Sequence, residues 1–429
     1  MPEIRPFRGI RYDLAHVGAL SDVVAPPYDV IDEAQRAELE SRSPYNVVRI
    51  DLPKGNGDPY EHASEIFTQW QDTGIIVADE QPAVWPLAQQ YTGPDGQTRT
   101  RRGFLARVRV EDYGAGRIRP HERTHPGPKE DRLRLTRATR ANLSPIFSLY
   151  SDPDRAAWAA LEPFTDQPPW AQTTDDDGTV NQLWRVSDAD AIAAVARATE
   201  RAELLIADGH HRYETARVYA DEIGGEGPHR YVLMCLVALE DPGLTVFPTH
   251  RLIKGVRPDQ HETLASALRA NFEIEALDSA DALPPQSSDE VTIGYIDAHF
   301  QKPFRLTLKD PGIADQALPD HAEPYRRLDT AVLEAVILKA TLEMTDEDID
   351  HLSGLGYARN AQQARDLVRN GEYDAAFFMA PTPVEHVRAV AAGGESMPPK
   401  STYFFPKVPT GLVFNPLFEL SAPGATITL

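Results

Sequence analysis

The stretch Leu204-Leu205-Ile206-Ala207-Asp208-Gly209-His210-His211-Arg212 holds a strand, a turn and a helix start in succession. Four apolar residues in a row predict a short buried strand, Asp208 ends it, and Gly209 permits a turn that a side chain would obstruct. Helical periodicity follows from about His211 to Glu222, and a second buried strand covers Tyr231 to Leu239. Strand, glycine turn and helix present a loop at the carboxyl edge of a sheet. The first N–H groups of a helix have no internal partner, and their dipole favours an anion by roughly 0.3–1 kcal/mol. Gly209, His210 and Arg212 at such a helix start form a phosphate-binding device. The competing reading is a capped helix in which Asp208 bonds those N–H groups and the histidines face water.

Working outward, Ile4 to about Pro53 reads as short strands or extended segments around a helix near Asp32 to Arg42, followed by a helix from about Tyr60 to Asp72. The turn Gly93-Pro94-Asp95-Gly96 joins two strands within Ala83 to Val110. Beyond a proline-rich loop, a helix from about Glu130 to Ala141 and a strand from Pro145 to Tyr150 are expected. Ser151 to Gly178, rich in Pro, Asp and Gln, suits a surface excursion, and helix resumes at Asp188 to Glu200. After Pro258 helices alternate with strands at Val291 to Ile296, Phe304 to Leu308 and Ala375 to Met379. The pattern predicts an α/β (α+β) protein with a first region over residues 1–280 and a C-terminal α/β domain over 281–429.

The formal charge of −22 on 429 residues opposes binding to nucleic acid or an anionic membrane, so a basic partner or a small-molecule substrate in a local pocket is expected. Between Arg99 and Arg140, however, twelve arginines and one lysine stand against five acids. Guanidinium forks pair phosphate or carboxylate bidentately, although Arg107 and Arg109 suit a solvated strand face. The chain start lacks a basic segment leading into an apolar one and no long apolar run occurs, so a cytoplasmic location without membrane spanning is expected. The single cysteine, Cys235, lies in an apolar run and reads as core packing.

Three further segments carry chemistry. His121, Glu122, Thr124 and His125, in a loop stiffened by prolines, suit a general base, a metal ligand or a hydrogen-bond donor, with Lys129 and Arg132 close behind. Thr249, His250 and Arg251 again set a hydroxyl beside an imidazole and a guanidinium. Lys407, Thr410 and Gly411 would close a phosphate pocket, unless the aromatic run before them is simply a core strand. Neither a Walker loop nor a helix-borne pair of zinc-ligating histidines is present, and the identity of any metal stays unknown.

Ala25 to Val30, His121-Glu122 with Thr124, Ile206 to Ala216, Pro248 to Arg251 and Lys400 to Gly411 together resemble a bacterial and archaeal family, domain of unknown function 1015, across essentially the whole chain. More locally, Asp208 to Arg212 resembles the phosphate-binding box of the ParB/sulfiredoxin-like fold, and the free-serine kinases within it most closely. Sulfiredoxins carry a cysteine where His210 stands, which argues against sulfinate repair. The resemblance implies a ParB/sulfiredoxin-like core with insertions, and a phosphotransferase-like enzyme moving a phosphoryl group between a nucleotide and a small polar acceptor such as free serine. ATP or ADP with Mg²⁺ would be the cofactor. Asp208, Glu122, His121 and His211 are then the catalytic candidates, and a nucleotide-gated binding module or a phosphatase acting on a small phosphorylated metabolite are the alternatives.

Overall fold

Alternation of apolar and polar residues on either side of Gly96, which takes φ +76°, makes a hairpin the centre of the first unit. The computed structural model describes residues 2–420 apart from 56, 94–95, 115–116, 121–125, 287, 289, 359 and 399, and of 126–128 and 350 only the backbone. The chain forms two units, one comprising the residues up to 244 together with the segment from 406 onward, the other running from 245 to 405.

The first unit is built on a nine-stranded mixed sheet. Its strands are β1 (Ile4–Arg5), β2 (Trp85–Thr92), β3 (Thr98–Arg109), β4 (Ile118–Pro120), β5 (Ile146–Tyr150), β6 (Ala171–Thr174), β7 (Val180–Leu183), β8 (Leu204–Asp208) and β9 (Tyr231–Ala238). They lie in the order β4-β8-β5-β9-β3-β2-β7-β6, with β1 paired to β3. β8 runs parallel to β4 and β9 parallel to β5, and the remaining pairs are antiparallel.

The longer helices of this unit include α1 (Pro59–Asp72), α2 (Pro126–Thr139), α3 (Ala156–Thr165), α4 (Ala189–Thr199) and α5 (His210–Ile223). One sheet face, with Phe104, Ala106, Val108, Ile146, Ile206 and Leu236, packs against Ala157, Leu161, Ala191 and Val195 of α3 and α4. Each fully buried Val, Leu, Ile or Phe side chain among them contributes about 1.5–3 kcal/mol. The expected surface excursion over 151–178 is therefore corrected. Asp152 caps α3 by accepting from the N–H groups of Ala156 and Ala157 at 2.9 and 3.0 Å, and Ala157 and Leu161 are wholly buried. Similarly, the extended segment expected at 47–50 is a short helix, Val48–Asp51, started by Asn46 Oδ1 accepting from Val48 N at 3.0 Å.

The second unit has a six-stranded antiparallel sheet of β10 (His250–Ile253), β11 (Phe272–Ala276), β12 (Thr292–Asp297), β13 (Phe304–Leu308), β14 (Leu355–Ala358) and β15 (Ala375–Phe378), in the order β11-β13-β12-β15-β10-β14. The helix α6 (Pro258–Asn271) buries Leu264 and Leu268 on one face, and α7 (Ala361–Arg369) buries Ala364 and Val368 on the other. A boundary at 280/281 would cut this sheet, because β10 and β11 precede it and their partners follow; the observed division lies at 244/245. Among the described residues no helix is long and apolar enough to cross a membrane.

Candidate functional site

The site in the first unit begins with a bulge. Leu205 pairs with Leu149 and Ile206 with Ser148, but Asp208 rather than Ala207 pairs with Phe147. One extra residue in a strand reverses the face of everything after it. Asp208 therefore leaves the apolar face that Ile206 occupies and shares the opposite face with Phe147.

Gly209 follows with φ +91° and caps α5 without a side chain. The positive φ favours glycine, and a Cβ there would lie 2.9 Å from Arg212 Nε and displace the guanidinium from its present place. Asp208 does not serve as the cap. Its Oδ2 accepts from Arg212 Nη2 at 2.7 Å, one helical turn on, and its Oδ1 accepts from Lys407 Nζ at 2.5 Å. Arg212 Nη1 donates to Ser144 Oγ and to the Pro145 carbonyl. Burial opposes the charge on Asp208, but Lys407 and Arg212, with a further pull from His210, outweigh it and hold the carboxyl well below the usual carboxylate range. One carboxylate thus binds two permanent cations at the positive end of a helix, which leaves a positive surplus for an anion.

Arg132 continues the network. Its Nη1 donates to Asp51 Oδ1 at 3.0 Å, its Nε to Asp131 Oδ2 at 2.7 Å, and its guanidinium lies 4.2 Å over the Tyr28 ring. Burial raises Asp51 above its ordinary value although Arg132 and Arg212 pull it down. Burial likewise pushes the Tyr28 hydroxyl up to about 12. Asp51, Arg132, Ser144, Arg212 and Thr215 line a cavity of about 40 Å³, the size of a single water.

The other sequence candidates divide by location. His210 is buried and His211 half-buried at the start of α5. Lys129 reaches toward Glu214, with Nζ 4.0 Å from Oε2. Thr410 is wholly buried, exchanges backbone hydrogen bonds with Ala25, and among the described residues its Oγ1 has no partner. His121 and Glu122, with Thr124 and His125, lie outside the described residues. Sequence reasoning did not single out Asp51, Ser144, Gln89 or Arg101; Asp51 and Ser144 lie in short polar interruptions that carry no motif.

Thr249, His250 and Arg251 belong to the second unit, where they form a cluster of their own. Arg251 Nη1 donates to the Thr249 carbonyl at 2.5 Å, and its guanidinium lies 5.4 Å over Tyr357. His250 Nδ1 accepts from Met379 N at 3.2 Å. Burial, then repulsion from Arg251 and Arg365, pushes the His250 imidazole down to about 4. A ring kept neutral above that value brings no charge to a phosphate. The unfolded chain takes up this proton near the ordinary value of about 6.5, so acid favours unfolding of the second unit as pH falls from about 6.5 toward the folded value. His250→Asn is expected to remove that part of the acid sensitivity. A His250 ring titrating near 6.5 in an NMR pH series would contradict it.

The chain matches the family described as "Protein of unknown function (DUF1015)" over residues 4–331. No curated protein matches it. Among solved structures it is distantly similar to a conserved hypothetical protein from Pyrococcus furiosus, at 16% identity and TM-score 0.36, with 72% of this chain and 95% of that chain covered. It is likewise similar to a free serine kinase in complex with AMP, at 16% identity and TM-score 0.35, covering 72% and 92% of the two chains. A third is SbnI with C-terminal truncation from Staphylococcus aureus, at 13% identity and TM-score 0.35, covering 72% and 85%.

Proposed function

The chain belongs to the DUF1015 family, and from that premise we propose that it is a phosphotransferase-like enzyme moving a phosphoryl group between a nucleotide and a small polar acceptor such as free serine. The observation that carries this reading is the Asp208 carboxylate shared by Lys407 and Arg212 at the start of α5. On the same reading the strand, glycine turn and helix form a ParB/sulfiredoxin-like phosphate-binding core.

The residues fit a polyphosphate. Its oxygens would lie against Gly209 to Arg212 and Lys407, where helix N–H groups and two permanent cations gather. ATP or ADP with Mg²⁺ is the proposed cofactor, and it supplies the group to be moved. Among the described residues no cluster of three or more His, Cys, Asp or Glu could hold a metal. Mg²⁺ in such a complex is commonly bound by the nucleotide's phosphates together with one or two carboxylates.

What the chain itself contributes is position, charge and a proton acceptor. With both cations on its oxygens Asp208 is a weak base. Phosphate oxygens that draw Lys407 and Arg212 toward themselves would restore its basicity at the moment an acceptor hydroxyl must give up its proton. Ligand arrival and base activation become one event. Incubation with ATP or ADP and Mg²⁺, with and without serine, is expected to give a phosphorylated small molecule that depends on the acceptor. Nucleotide binding without turnover over a panel of hydroxy acceptors would replace the enzyme by a binding module.

A further inference from the structure

Arg101 is a charged group of the first unit that the mechanism above does not use. It lies on β3 opposite Gln89 of β2, which in turn lies opposite Asn181 of β7. These three form a polar row on the sheet face away from the apolar cluster. Gln89 Oε1 accepts from Arg101 Nη2, while Gln89 Nε2 donates to Asn181 Oδ1 at 2.7 Å and to the Lys407 carbonyl at 3.0 Å. The Arg101 guanidinium reaches over the Phe147 ring at 4.3 Å, and Phe147 is the register partner of Asp208. The row thus leads from the far strands of the sheet to the bulge that turns Asp208.

Two facts make this arginine unusual. Arg101 is 1% exposed, yet among the described residues its Nε and Nη1 have no hydrogen-bond partner. Buried donors are nearly always paired, and an unmet pair on a permanent cation points to a missing acceptor. A ring beneath the guanidinium offers its face but no lone pair for in-plane N–H groups. Burial, opposed by nearby groups that include Asp208, pushes Arg101 down to about 10, so it is charged at neutral pH. Two cations thus hold the Asp208 carboxylate and Arg101 lies deeper, over the ring of its register partner Phe147: Arg101 is the most buried of the three, while the side chains of Arg212 and Lys407 are 11% and 16% exposed.

We propose that Arg101 is the innermost anion-binding side chain of the Asp208 site, donating through Nε and Nη1 to an oxygen of a bound phosphate. This rests on the phosphate reading of that site and adds to it a residue that sets how deeply the anion is held. Because Gln89 fastens the backbone of Lys407 over the row, a phosphate reaching Arg101 requires that segment to shift.

The test is calorimetric titration of the full chain with inorganic pyrophosphate, ADP and adenosine. Arg101→Met is expected to weaken pyrophosphate and ADP at least tenfold and to leave any affinity for adenosine unchanged, a selectivity that general damage to the fold would not produce. Arg101→Lys, which keeps the charge and loses the fork, is expected to fall between the two. Should Arg101→Met fail to fold, Arg101→Lys decides, with a several-fold loss for pyrophosphate expected. Wild-type affinity for pyrophosphate in the folded variant overturns the role of Arg101 and leaves the phosphate site standing, provided Arg212→Ala loses that affinity. A folded wild-type protein that binds neither pyrophosphate nor ADP overturns both readings together.

Discussion

Asp208→Ala is expected to cost about 3–5 kcal/mol of stability, the range seen when one partner of a buried ion pair is removed. The cost arises because Lys407 and Arg212 would remain largely buried, at 16% and 11% side-chain exposure, without the carboxylate between them. Asp208→Asn keeps the shape and part of the hydrogen bonding, and should cost less. Both effects carry a pH signature. The folded carboxyl titrates far below its ordinary value near 4, so its contribution is fully present above that value and is lost as pH falls toward the folded one. Chemical denaturation at pH 7 and near pH 3 should therefore show the gap between wild type and Asp208→Asn narrowing in acid. A gap of equal size at both pH values would mean that the carboxylate is not held by its cations.

Lys407→Met is expected to separate chemistry from folding. Methionine preserves an unbranched apolar stem and Arg212 still pairs with Asp208, so the loss of stability should be smaller than for Asp208→Ala. Phosphoryl transfer, in contrast, should fall by about 10²–10³, the loss typical when one preorganised donor to developing charge is removed. The loss should appear in kcat, since charge builds on the moving group only during transfer. A variant with full turnover and raised KM alone would make Lys407 a tether for nucleotide and nothing more.

Local signals and distant ones fared differently. The strand, turn and helix around Gly209 were legible because an apolar run, a turn glycine and helical periodicity fall within one short stretch, and the hairpin of β2 and β3 was legible for the same reason. The sequence also pointed to Lys407, but its partner stands 199 positions away, and no local pattern joins the two. Arg101 was hidden among twelve arginines. Like Arg109 it stands on β3, but Arg109 reaches Glu226 at the surface at 2.6 Å; what separates them is position along the strand, since Arg101 lies opposite Gln89 and over Phe147, partners that only the folded sheet brings near. The bulge at Ala207 is equally silent in sequence, yet it chooses the face on which Asp208 works. The misplaced boundary near 280 has a simpler cause, since prolines and small polar residues at 278–289 mark a loop inside a sheet as readily as a linker between domains.

The first unit closes only when the chain returns to it at residue 406, after the whole of the second has been made. Lys407 is thus the last of the three cations to leave the ribosome, and until it emerges Asp208 has Arg212 but no partner for its other oxygen. A polypeptide halted anywhere between 245 and 405 carries the glycine turn without the lysine that completes it. Long-range closure of this kind slows folding, and it leaves the Asp208 cluster incomplete in any unfinished molecule.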